Sequence, residues 1–136
     1  LEIGYVALKN SLIYNRILKV QSHSITSVNY VTQKAATVID EVDNTYMIEE
    51  YRKRRNFVVE KSKEIGLEFV YPEGAFYLFF KSPLYNDELF CKKLLEEKYV
   101  ALIPGSAFNK KGFVRLSFSK PIEILNEGFK RIEEFI

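Results

Sequence analysis

Tyr71-Pro-Glu-Gly-Ala-Phe-Tyr-Leu-Phe-Phe80, with Ile103-Pro-Gly-Ser-Ala-Phe108 and Val114-Arg-Leu-Ser-Phe118 after it, decides how this chain is read. Apolar and aromatic runs mark strands, and the Pro-Glu-Gly and Pro-Gly groups mark turns and loops between them. Alternation along 113–118 puts Val114, Leu116 and Phe118 on one face and Phe113, Arg115 and Ser117 on the other. A core on the Val-Leu-Phe side sends Arg115 out of the opposite side. A planar cation in an apolar strand is costly unless it has an anion to grip, so Arg115 is a candidate for binding a carboxylate in bidentate fashion. The plainer reading is a strand arginine paired with a surface glutamate, and spacing by itself favours that reading.

Around these strands a long helical segment over 45–65 carries Ile48, Tyr51, Val58 and Ile65 on one side and ends at Gly66 as a left-handed cap. Beyond Gly66 the pattern predicts strands over 67–70 and 75–81. A helix capped by Asn86 follows, with Asp87 and Glu88 in its first turn, running to about Lys98. Strands over 100–103 and 113–118 come next. A last helix opens near Ser119 and Pro121 and buries Ile122, Leu125, Phe129, Ile132 and Ile136 at three-four spacing. This β-β-α-β-β-α order predicts an α+β layer with helices on one face of a small, mostly antiparallel sheet. Upstream, residues 3–8 have strand composition and 11–21 read as a helix with Ile13, Ile17 and Val20 at helical spacing. A second helix carries Val28, Val31, Ala35, Val38 and Val42. A lone short strand cannot satisfy its own backbone, so residues 3–8 need partners from elsewhere.

Composition narrows the class. With 47% apolar and 15% aromatic residues, the 136-residue chain has ample material for a packed core and is unlike a disordered segment. A net charge of +2, from 20 basic and 18 acidic residues, is too balanced to indicate a nucleic-acid or membrane surface. The basic run Arg52-Lys-Arg-Arg55 is interleaved with Glu49, Glu50, Glu60 and Glu64 and reads as a solvated helix face. The single cysteine, Cys91, allows no internal disulfide and fits a reducing cytosol; its helical setting makes it a structural thiol. His23 reads as a surface loop residue, and no set of residues suggests a metal site. No apolar run is long enough to span a membrane, and the start has no signal-peptide pattern. Because the chain opens on Leu1, with 3–7 already strand-like, it reads as a truncated beginning.

The quoted stretches resemble the carboxyl-terminal signature of the class I/II aminotransferases, the fold type I pyridoxal-phosphate enzymes of the aspartate aminotransferase kind. Pro104, Gly105, Ser106, Phe108, Gly112, Val114, Arg115, Leu116, Ser117 and Phe118 follow that pattern, with Asn109 where the family usually has glycine. Pro72, Gly74, Ala75, Phe76 and Tyr77 resemble the family's P-x-G-A-F-Y strand, and Gln33 with Ala35-Ala36 is similar to its Q-x-A-A helix. The resemblance reverses the plainer reading of Arg115 and implies that it binds the substrate's α-carboxylate. It further implies that Gly74 and Phe76 line the substrate pocket, while Tyr77 is read as core packing.

At the other end, Leu1-Glu-Ile-Gly-Tyr resembles a family strand in which an arginine binds the cofactor phosphate, yet Glu2 stands in its place. The resemblance implies that residues 1–45 are the remnant of the large cofactor-binding domain and 46–136 the small domain. It implies pyridoxal phosphate in the intact enzyme, amino acid and 2-oxo acid substrates, a homodimer and a cytoplasmic setting. The Schiff-base lysine is expected upstream of Leu1, so the chain by itself is expected to bind no cofactor and to be inactive. The alternative is a stand-alone α+β interaction module that has lost catalysis, because fold does not specify activity.

Overall fold

The computed structural model describes residues 3–136, so Glu2, and with it the question of the phosphate-binding position, lies outside the described residues. The chain divides into two compact units, Leu1–Asn44 and Thr45–Ile136.

In the first unit, α1 (Ser11–Ser24) and the short α2 (Tyr30–Ala36) are each opened by an asparagine. The Asn10 side-chain oxygen accepts from the Ile13 N–H at 3.1 Å, and that of Asn29 from the Thr32 N–H at 3.2 Å. Each cap satisfies one of the free donors at a helix start. Two expectations fail here. Residues 3–8 form no strand, because no described segment offers them a ladder. The second helix stops at Ala36, where the β-branched run Thr37-Val-Ile39 begins, and a separate 3-10 turn covers Ile39–Glu41. Such residues propagate a helix poorly unless packing compensates, and Val31, Val38 and Val42 are all exposed. His23 sits exposed in the last turn of α1 and not in a loop.

The second unit is the predicted α+β layer. The long α3 (Thr45–Glu64) leads through Gly66, at φ +71°, into β1 (Phe69–Val70) and β2 (Tyr77–Lys81). After α4 (Asp87–Lys98) come β3 (Ile103–Pro104), a 3-10 turn (Gly105–Phe108), β4 (Phe113–Ser117) and α5 (Ile122–Glu133). The four strands pair antiparallel in the order β1-β2-β4-β3. The two-residue β1 and β3 are therefore edges, and the five-residue β2 and β4 are central. Register sets Leu78 opposite Leu116 and Phe80 opposite Val114, all four buried. The helices cover that face with Val58 from α3, Phe90, Cys91 and Leu94 from α4, and Leu125, Phe129 and Ile132 from α5. Ile122 and Ile136, expected in the core, lie at its margin; Ile136 is exposed after the last turn of α5. Each buried Leu or Phe contributes roughly 1.5–3 kcal/mol of transfer free energy.

Candidate substrate-carboxylate site

The face of the sheet turned away from the helices carries the site. On β4 it presents Phe113, Arg115 and Ser117, as alternation predicts, and on β2 Tyr77, Phe79 and Lys81. Arg115 stands between Phe79 on one side and Ile103 on the other, on a strand paired along both edges. Its guanidinium carbon lies 4.3 Å from the centre of the Tyr77 ring and 4.2 Å from that of Phe108. Ion pairs among the described residues join Arg54–Glu50, Lys61–Glu64, Lys81–Glu68, Lys92–Glu96, Lys98–Glu134 and Arg131–Glu127, and Arg115 is in none of these six. None of the glutamates in these pairs supports the surface-acid reading. Two rings hold the cation by dispersion and by attraction to their π faces, and its N–H fork is left for an anion.

The loop that delivers Phe108 accounts for the motif residue by residue. Gly105 is buried where the chain folds back on itself: a Cβ there would lie 2.3 Å from the Lys110 carbonyl oxygen and 2.7 Å from that of Phe113. Asn109 closes the 3-10 turn in the left-handed region at φ +57°, the conformation that asparagine tolerates in place of glycine. Gly112 takes φ +78°. The Ser106 N–H donates to Asp87 Oδ2 at 2.8 Å and the Gly112 N–H to Asp87 Oδ1 at 3.0 Å, while the Ser106 hydroxyl donates to Glu88 at 2.9 Å. Burial alone would raise the Asp87 pKa; the N–H groups of Gly112 and Ser106 outweigh it and hold the carboxyl below the usual aspartate range. Asp87 therefore stays ionised and pins both ends of the loop. In the sequence it reads only as an acid in the first turn of a helix, and nothing marks its partners nineteen or more residues away.

Phe76 and Gly74 fare differently. The Phe76 ring packs on Tyr51 at 5.7 Å and on Tyr77 at 4.6 Å, and its carbonyl accepts from the Phe118 N–H at 2.9 Å. It is thus one ring removed from Arg115. Gly74 is exposed in the bend before β2, with nothing within 4 Å of where a Cβ would be. Next to it Ala75 adopts φ +55°, a conformation that costs an L-residue roughly 1–2 kcal/mol. Tyr77 is half-buried on the arginine's face, not inside the helix-covered core. In the basic run, Arg54 is drawn inward from the expected solvated face: it pairs with Glu50 and donates to the Ser119 carbonyl at 2.7 Å. Arg55 lies over the Tyr71 ring. Burial and the charge of Asp87 push the Cys91 thiol up to about 11, so it is protonated at neutral pH and a poor nucleophile.

The family model for "Aminotransferase class I and II" matches residues 1–132. This chain belongs to that family. It is 52% identical over 134 residues to an aspartate aminotransferase of Thermotoga maritima, a match that covers 98% of this chain and 35% of the relative. A probable N-acetyl-LL-diaminopimelate aminotransferase of Bacillus subtilis is 38% identical over 133 residues, covering 91% and 33%. The crystal structure of a Thermotoga maritima aspartate aminotransferase superposes with a TM-score of 0.81 at 57% identity, over 86% of this chain and 31% of that one. A Methanococcus jannaschii protein, described as similar in its active site to kynurenine aminotransferases, does so with a TM-score of 0.81 at 36% identity, over 93% and 36%. The chain spans about a third of the length of the curated relatives it matches.

Fold type I aminotransferases work with pyridoxal phosphate, which needs a lysine in a dry pocket. No lysine among the described residues is buried, and the two that are half-buried, Lys61 and Lys98, are ion-paired with Glu64 and Glu134. Among the described residues the one buried carboxylate, Asp87, has both oxygens taken by backbone N–H groups. The described residues do not fit the cofactor.

Proposed function

We propose that this chain is the C-terminal part of a pyridoxal-phosphate-dependent aminotransferase, in which Arg115 anchors the α-carboxylate of an amino acid or 2-oxo acid. One observation carries the reading: a guanidinium on a central strand, gripped by two rings and in none of the six ion pairs above. The relatives are named for substrates as different as aspartate, N-acetyl-LL-diaminopimelate and aromatic amino acids. An α-carboxylate is the part that amino acids have in common, and a rigid arginine is suited to it whatever the side chain.

In this reading residues 46–136 form the small domain and residues 1–45 the last part of the large cofactor-binding domain, with the Schiff-base lysine upstream of Leu1. The cofactor, when bound by the intact enzyme, supplies the electron sink that holds the amino group between the two half-reactions. This chain's own contribution is binding and orientation. Arg115 fixes the carboxylate end, the neighbourhood of Gly74 to Phe76 shapes the pocket beside it, and the strained Ala75 holds that turn. The intact enzyme is read as a cytoplasmic homodimer, and the chain alone as inactive.

The test compares the chain with a polypeptide that includes the residues encoded upstream of Leu1. The longer protein is expected to show Schiff-base absorbance with pyridoxal phosphate and to transfer amino groups, and the shorter one to do neither. No absorbance in the longer protein overturns the enzyme reading in favour of an interaction module. In an active longer protein, Arg115→Ala is expected to raise KM for every amino donor by about 100-fold with the cofactor absorbance retained. Unchanged KM sinks the role given to Arg115.

A further inference from the structure

Two residues that the motif alone leaves without a role meet at Arg115. Tyr77 comes from β2, and Phe108 from the 3-10 turn that Asp87 pins. Their ring centres lie 4.3 Å and 4.2 Å from the guanidinium carbon. Tyr77 reaches it from β2, along one edge of β4, and the turn that carries Phe108 follows β3, along the other edge. A guanidinium flanked in this way keeps its five N–H donors at its edge, where a carboxylate can take two of them in plane. The rings also remove rotamer freedom that binding would otherwise have to remove.

We infer that Tyr77 and Phe108 are positioning residues, a two-sided aromatic clamp that aims the Arg115 fork at the substrate carboxylate. The inference rests on the reading of Arg115 as the carboxylate anchor. The carboxylate does not change charge while the amino group is transferred, so the clamp acts equally on bound substrate and transition state. Loss of such uniform binding raises KM and leaves kcat alone. The phenol oxygen has no part in it, so a phenylalanine serves as well as Tyr77.

The experiment uses the active longer protein, with Arg115→Ala, Phe108→Leu, Tyr77→Leu and Tyr77→Phe, and steady-state kinetics with several amino donors. Phe108→Leu and Tyr77→Leu are each expected to raise KM about tenfold for every donor, with kcat within about twofold, in line with a cation–π contact between the exposed and the fully desolvated limits. Tyr77→Phe is expected to match the parent. If Arg115→Ala raises KM while both leucine variants stay at the parent value, the clamp is refuted and the anchor stands. If Arg115→Ala itself leaves KM unchanged, the anchor falls and takes the clamp with it. A fall in kcat equal to the rise in KM, or a loss in Tyr77→Phe as large as in Tyr77→Leu, also overturns the inference. Should Tyr77→Leu not fold, Phe108→Leu decides alone, because that ring is 43% exposed and its loss leaves the core intact.

Discussion

α1 and α5 are written in the same language and meet opposite fates. Each has apolar residues at three-four spacing, yet Ile13, Ile17, Leu18 and Val20 of α1 are between 41% and 68% exposed, and Leu125, Phe129 and Ile132 of α5 are at most 7% exposed. The difference lies in what each helix has to meet. α5 closes over a sheet whose buried face is already fixed by register, whereas α1 belongs to a unit with no sheet among the described residues. An amphipathic pattern specifies a face; burial requires the partner.

Core truncation separates the two units most sharply. Phe129→Ala is expected to lower the stability of the second unit by about 3–5 kcal/mol, measured by urea unfolding followed by circular dichroism. Ile17→Ala in α1 is expected to leave that transition within about 0.5 kcal/mol. A large loss from Ile17→Ala would break the comparison, because it would mean that α1 is packed in solution.

Acid tests the same contrast through charge. The carboxyl of Asp87 has its pKa depressed in the folded state, so its contribution is complete above the ordinary aspartate value of about 3.9. It is lost as pH falls through the lower folded value, because protonation then favours the unfolded chain. Asp87→Ala, which leaves the Ser106 and Gly112 N–H groups without their acceptor, is expected to cost about 1–3 kcal/mol at neutral pH and to flatten that acid limb. An unchanged acid limb in the variant would show that another group governs it.

Backbone closeness gives a third contrast. Gly105→Ala drives a methyl against two carbonyl oxygens and is expected to cost about 1–3 kcal/mol. Gly4→Ala in the first unit meets open space and is expected to be silent in the same assay.

How much of this was legible follows from which interactions are local. Alternation was enough to orient Arg115, and the Asn86 cap, the Gly66 turn and the order of elements beyond it could be read from neighbours in sequence. What could not be read depends on distant partners. Strand-like residues 3–8 form no strand without a neighbour, and a β-branched run stops α2 where packing does not support it. Tyr77 reads as core until register sets it opposite Ser117, on the arginine's face. Asp87 and Phe108 acquire their roles only when the loop over 105–112 folds back across α4 and β4.

The two asparagine caps test whether the two units unfold together. Asn10 caps α1 and Asn86 caps α4 by the same device, an accepting side-chain oxygen 3.1 Å and 2.9 Å from an N–H three residues on. Removing either cap costs its own helix about 1 kcal/mol. If the units are independent, Asn86→Ala shifts the main unfolding transition by that amount. Asn10→Ala then leaves the transition where it was and only speeds amide exchange within α1, because a helix with no buried residue opens without disturbing the core. Equal shifts from the two variants would instead tie α1 to the cooperative unit, and the contrast between α1 and α5 would then be one of exposure alone and not of stability.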